Sequence, residues 1–158
     1  MHPAPSFLKY ATLSYAAERR SMRRSFPRDL SSLELLFEFT GDFAGANGLA
    51  EPDVFAMNLA VEELFTNMIK YGGGDDLVSV DLEVRDEALV IELVHAGARQ
   101  FDPTAAPVPD RKRSLADREP GGLGLQLVRS VMDDINYEDK NGIARITVTK
   151  RLSPRGGG

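Results

Sequence analysis

The sequence contains no cysteine. That excludes disulfides, thiolate metal sites and a cysteine nucleophile, and it fits a reducing compartment. No run reaches the roughly 18 apolar residues that a membrane-spanning helix needs. The opening Met1–Pro5 and the short mixed segment after it lack the basic and apolar blocks of a secretory signal. An excess of positive charge is missing too. The net charge is −5, whereas a generic nucleic-acid binder is usually basic. The expectation is a soluble cytoplasmic protein with no membrane and no direct nucleic-acid partner.

What is present fits one domain. A chain of 158 residues with 42% apolar residues can bury roughly two thirds of its surface without a metal or disulfide staple. Residues 1–24 include Arg19, Arg20, Arg23 and Arg24 and read as an N-terminal extension. Three readings of it are open: a solvated arm, an added edge element, or a partner-binding arm. Residues 25–152 read as the domain. Residues 153–158 read as a disordered tail, since Pro154-Arg155-Gly156-Gly157-Gly158 has nothing to pack.

Within the domain, residues 25–27 read as the end of a first strand. A helix is expected over 29–47, with Ser31 and Glu34 at capping-box spacing and Leu33, Leu36, Phe37, Phe43 and Ala44 on one face. A second helix is expected over 52–71. Pro52 suits its first turn, Asp53 suits the positive end of its dipole, and Met57, Val61, Leu64, Phe65 and Met68 form its apolar stripe. Val78, Val80, Leu82 and Val84 alternate with polar residues as in a half-buried strand, and Leu89–Val94 is its hairpin partner. Residues 96–120 form a long loop. A third helix spans 121–133, with Leu125, Val128 and Met132 inward. Strands at 135–138 and 143–149 flank Asn141-Gly142, a strong hairpin signal. This order implies a two-layer α/β sandwich: a mixed, mainly antiparallel sheet with helices on one face.

Three segments carry chemistry. On the second helix, Glu63 and Asn67 lie one turn apart, and Lys70 and Tyr71 extend that face. A carboxylate can take a proton from an attacking hydroxyl, an amide oxygen suits Mg²⁺, and a lysine can neutralise phosphate. Polar helix faces are also commonly just solvated, so two readings stay open for this segment alone. Pro120-Gly121-Gly122-Leu123-Gly124-Leu125 runs into the third helix. Its glycines allow close backbone approach, and free amides at a helix start favour an anion; a plain hinge has the same composition. It is neither a Walker A sequence nor a dinucleotide fingerprint. At the end of the first hairpin, His95-Ala96-Gly97-Ala98-Arg99-Gln100-Phe101-Asp102-Pro103 offers Gly97 for the approach of a flat base, or a simple turn anchored by Phe101.

In that order the three segments resemble the asparagine box and the two glycine boxes of the GHKL, or Bergerat-fold, ATPases. With the short stretch ending in Lys150-Arg151-Leu152, the chain is similar to the stand-alone anti-sigma-factor serine kinases over roughly residues 25–152. The ordered triple is far more specific than any one box. The resemblance implies a two-layer α/β fold that binds ATP with Mg²⁺ under a mobile lid, here residues 104–120. It implies Glu63 as general base, Asn67 as magnesium ligand and Lys70 as a phosphate contact. His95 and Gly97 would meet the base, and Gly121, Gly122, Gly124 and Leu125 the phosphates. It also implies partners: an anti-anti-sigma protein of the STAS type whose serine is phosphorylated, and a sigma factor that is sequestered. Many family members act as homodimers.

Two features depart from the family pattern. His95 stands where the first glycine box usually opens with an aspartate that accepts a bond from the adenine amino group. Neutral imidazole can accept that bond but carries no negative charge. The spacing from Gly97 to Phe101 is one residue longer than usual. A kinase and a catalytically weak partner-binding module are therefore both expectations, Glu63 and Asn67 favouring the first and His95 the second. A sensor histidine kinase fragment is disfavoured, because His2 and His95 are the chain's two histidines and neither sits in a long helical segment.

Overall fold

The computed structural model describes residues 20–71, 77–96 and 122–154. Five strands form one sheet: β1 (Ser21–Pro27), β2 (Leu77–Arg85), β3 (Ala88–Ala96), β4 (Asp134–Lys140) and β5 (Ile143–Arg151). Their spatial order is β1-β2-β3-β5-β4, and all four pairings are antiparallel. Among the described residues three α-helices accompany them: α1 (Leu33–Asn47), α2 (Glu51–Tyr71) and α3 (Gly122–Val131).

Alternation in the strands decides which face the helices cover. Val78, Val80 and Leu82 of β2, Leu89, Ile91 and Leu93 of β3, and Ile146 and Val148 of β5 are all buried. Their neighbours in sequence are polar or half-buried, as a two-layer fold requires. The helices complete the core with Leu36, Phe39 and Phe43 from α1, Met57, Val61, Leu64 and Phe65 from α2, and Leu125 and Val128 from α3. Phe26 of β1 packs edge-on to Phe39 and Phe65, with ring centroids 5.5 Å and 6.4 Å apart. The expected sandwich is the observed one, with every described pairing antiparallel.

Two hairpins set the register. Asn141-Gly142 turns β4 into β5 with φ of 57° and 76°, both in the left-handed region that a two-residue hairpin turn demands. Asp86-Glu87 turns β2 into β3 with φ of 51° and 62°. No glycine relieves this second turn, so Glu87 bears a local backbone cost of about 1 kcal/mol. Its carbonyl accepts the Leu152 amide at 2.9 Å, which sews the chain after β5 onto this turn.

Four local expectations need correction. The first strand begins at Ser21, so Ser21–Arg24 take up the added-edge reading and the domain starts before residue 25. Arg23 pairs there with Asp81 of β2, and the Arg24 guanidinium lies 5.1 Å from the centroid of Phe26. The capping box at Ser31 and Glu34 is not formed. Asp29 instead accepts the Ser31 amide at 2.9 Å and caps a single 3₁₀ turn, Leu30–Ser32, which delays α1 to Leu33. Phe37 is 37% exposed, at the margin of the apolar face, and Phe39 fills the core position. Ser153, placed in the disordered tail, is bonded: its amide and hydroxyl both donate to Asp53 at 2.9 Å. Residues 1–19 and 155–158 lie outside the described residues, as does the expected lid.

Candidate active site

Helix α2 is the centre of the candidate site. It lies between the other two helices. One flank meets α1 through the Thr40 hydroxyl, 2.7 Å from Asn58 Oδ1. The opposite flank carries Ala56, Ala60, Glu63 and Asn67, which the helical repeat brings onto one side. There α3 packs against it, and the Glu63 carboxylate lies against the Cα of Gly124. The structure therefore brings together two segments that the sequence separates by 61 positions.

Asn67 is 1% exposed, and among the described residues neither its Oδ1 nor its Nδ2 has a hydrogen-bond partner. A buried side-chain amide left unsatisfied costs about 1–3 kcal/mol, so its presence calls for a function beyond packing. Glu63, one turn earlier, is half-buried. Burial raises its carboxyl above the usual carboxylate range. The neighbouring charge of Glu62 adds to the rise and Lys70 opposes it. Lys70 itself is exposed on the last turn of α2, and Glu62 points to solvent, as the helical repeat predicts.

The remaining expected positions divide in two. His95 is buried on the inner face of β3, opposite Ala144 of β5, on the strand that packs beneath α2. Gly122 opens α3, and Gly124 stands in its first turn. Leu125 is 3% exposed and its side chain belongs to the core, so only its backbone can reach a ligand. Gly97 and Gly121 lie outside the described residues. One contributor was not anticipated. The Arg28 guanidinium reaches the Met68 and Ile69 carbonyls at 3.4 Å and 3.5 Å, placing a cation at the negative end of α2 next to Lys70. A lone arginine ahead of Asp29 gives no sequence signal of that role.

The donor set fits a hydrated hard cation shared with phosphate. Among the described residues no cluster of three or more His, Asp or Glu could hold a metal by itself. Mg²⁺ does not need one, because it keeps most of its waters and takes one or two protein ligands. An open cavity of about 630 Å³ lies at the other end of α2, lined by Asp53, Glu87 and Arg151 among others. None of the expected site residues borders it, so its volume says nothing about this chemistry.

Residues 26–150 match the profile of the histidine kinase-like ATPase domain. The chain belongs to this family. Among relatives of the domain, it is 29% identical over 103 residues to the serine/threonine-protein kinase BtrW of Bordetella bronchiseptica, covering 63% of this chain and 72% of that one. It is 24% identical over 120 residues to the serine-protein kinase RsbW of Staphylococcus aureus, covering 72% and 74%. The fold recurs in the RsbU and RsbW domains of Rv1364c from Mycobacterium tuberculosis, with a TM-score of 0.62 at 12% identity; 84% of this chain is covered and 32% of that longer one. It recurs again in the SiaB–SiaC complex from Pseudomonas aeruginosa, with a TM-score of 0.56 at 13% identity over 92% of this chain and 97% of that one. Among the described residues no helix is long and apolar enough to cross a membrane.

Proposed function

We propose that this chain is a cytoplasmic Mg-ATP-dependent serine-protein kinase and anti-sigma regulator. It phosphorylates a serine of a small STAS-type anti-anti-sigma protein and, in the alternate state, sequesters a sigma factor, thereby regulating transcription; it acts as a homodimer. The observation that carries the reading is Asn67: a fully buried amide with both polar atoms unpaired, one helical turn from a carboxylate held off its ordinary pKa. Kinases among the relatives support the reaction class.

Each residue then has a task. Asn67 Oδ1 would be the protein ligand for magnesium. Bound Mg-ATP would supply an activated phosphoryl group and neutralise its developing charge. Glu63 accepts the proton of the incoming serine hydroxyl, and partial burial brings its basicity nearer to neutral pH than that of a solvated glutamate. Lys70 and the backbone of Gly121, Gly122, Gly124 and Leu125 would hold phosphate at the start of α3. His95 and Gly97 would meet the adenine; Gly97 and the lid expected over 104–120 lie outside the described residues.

His95 also supports a second reading, a partner-binding module with weak catalysis. Replacing a charged acceptor with a neutral one for a buried donor loses about 1.5–3 kcal/mol, or about ten- to a hundredfold in affinity. Titrating Mg-ATP into the purified protein by calorimetry decides between the two. Modest, magnesium-dependent binding is expected, tightened by His95→Asp. Glu63→Ala should keep nucleotide binding and lose transfer, while Asn67→Ala should lose both. No response at millimolar Mg-ATP would leave the module reading in place of the kinase.

A further inference from the structure

Gly124 stands in the first turn of α3 with no left-handed backbone to require glycine. The described glycines at positive φ are Gly48 and Gly142. Glycine is a poorer helix former than alanine, so something other than conformation favours it here. A Cβ built on Gly124 would overlap Glu63 Oε2 and Cδ outright and stand 2.6 Å from Oε1, and these are the three nearest atoms it would meet. The space a side chain would need is the space the Glu63 carboxylate occupies. At Gly41 and Gly45 of α1, by contrast, a Cβ would meet nothing within 4 Å.

We infer that Gly124 is a positioning residue for Glu63: its bare Cα is the wall of a niche that holds this carboxylate beside the first turn of α3. The inference rests on the reading of Glu63 as the base, and it gives Gly124 a task separate from phosphate contact. Two physical effects make the niche useful. The positive end of the α3 dipole faces a carboxylate at that turn and restrains it electrostatically. Packing against the helix withdraws the carboxylate from water, which is why its pKa is raised, Glu62 adding to the effect and Lys70 opposing it. A base fixed in one place is ready for an incoming hydroxyl, whereas a solvated glutamate must be ordered at each turnover.

The niche predicts what a single methyl does. The obstructed atoms are the end of a flexible side chain, so Gly124→Ala should fold, with Glu63 driven out into solvent. The direct readout is the Glu63 carboxyl titration, followed by carbon NMR in the full nucleotide-free chain. In Gly124→Ala its midpoint should fall toward that of a solvated glutamate. In the Glu63→Asp background, where the carboxylate is shorter by one methylene and clears the methyl, Gly124→Ala should leave the titration of residue 63 where it was. The second readout is a thermal double-mutant cycle. Gly124→Ala should raise Tm by about 2–4 °C more in the Glu63→Ala background than in the wild type, because only there is the helix-propensity gain free of the displaced carboxylate. An unmoved Glu63 titration together with additive Tm changes would overturn the niche. Should Gly124→Ala fail to fold, folding of the Glu63→Ala/Gly124→Ala double variant supports the niche, and its failure to fold overturns it. Both readouts are taken without nucleotide, so loss of the kinase reading in the Mg-ATP titration would register separately.

Discussion

The two ends of helix α2 handle buried polar groups in opposite ways. At the N-terminal end Asp53 is 1% exposed and saturated. It accepts Lys150 Nζ at 2.6 Å and both the amide and the hydroxyl of Ser153 at 2.9 Å. Burial alone would push its carboxyl up, but the bonds from Lys150 and Ser153 outweigh burial and hold it below the usual range. About four turns later Asn67 is equally buried and has no partner among the described residues. One end of the helix converts burial into stability, and the other leaves a buried amide unmatched among the described residues. A buried polar residue is thus read by counting its partners: saturation marks a fastening, and an unmet valence marks a site.

The largest effect should come from breaking the saturated end. Asp53→Ala strands the Lys150 ammonium and unties Ser153. It should cost about 3 kcal/mol, read as a lowered urea midpoint with the slope unchanged. The pKa of Asp53 is depressed in the fold, so its contribution is full above the unfolded-state value and disappears as pH falls through the folded one. The Asp53→Ala deficit should therefore shrink in acid, and a deficit that is constant from pH 7 to pH 3 would contradict the assignment.

Next in size, Asn67→Leu removes the unmet amide and fills the same volume. It should stabilise the fold by about 1–2 kcal/mol in the same urea assay while abolishing magnesium-dependent nucleotide binding. Destabilisation of that size would mean Asn67 has a structural partner after all, and the contrast between the helix ends would collapse.

A smaller, pH-dependent effect belongs to Glu63. Its folded pKa is raised, so the stability it contributes is full below the unfolded value and is lost as pH rises through the folded value. Glu63→Gln imitates the protonated form. Its Tm should draw ahead of the wild type between pH 4 and pH 8, and parallel curves would refute the burial of the charged form. The smallest effect is a control at the sheet edge. Arg23 and Asp81 meet at 2.6 Å, but the Arg23 side chain is 69% exposed, so Arg23→Ala should leave the urea midpoint essentially where it was. A larger loss would show that ion-pair geometry matters more here than burial.

Much of this contrast was written in local sequence. The spacing of Glu63, Asn67 and Lys70 against the stripe of Met57, Val61, Leu64 and Met68 gave both the helix and its polar flank, because the helical repeat is a local property. Asn141-Gly142 gave its hairpin for the same reason. What sequence could not give were meetings across distance. Asp53 read as a favourable charge at a helix start, yet its partners Lys150 and Ser153 lie 97 and 100 positions away. The contact of Glu63 with Gly124 depends on how two helices pack, and a glycine required by a neighbour's carboxylate looks the same in sequence as a glycine required by a turn. Asp29 displaced Ser31 as the cap because a 3₁₀ turn, invisible to hydrophobic periodicity, precedes α1.

The sheet order has a consequence for biosynthesis. β5 is an interior strand, bonded on one side to β3 and on the other to β4. While the chain emerges from the ribosome, residues 21–96 can assemble β1, β2 and β3, but the free edge of β3 stays open until residues 143–151 have left the exit tunnel. For that interval a row of unpaired amides and carbonyls, flanked by Leu89, Ile91 and Leu93, stays open to solvent. The nascent protein should therefore depend on prompt completion or on chaperone cover of that edge, and stalling ahead of Ile143 should send it to aggregation rather than to a partly working domain.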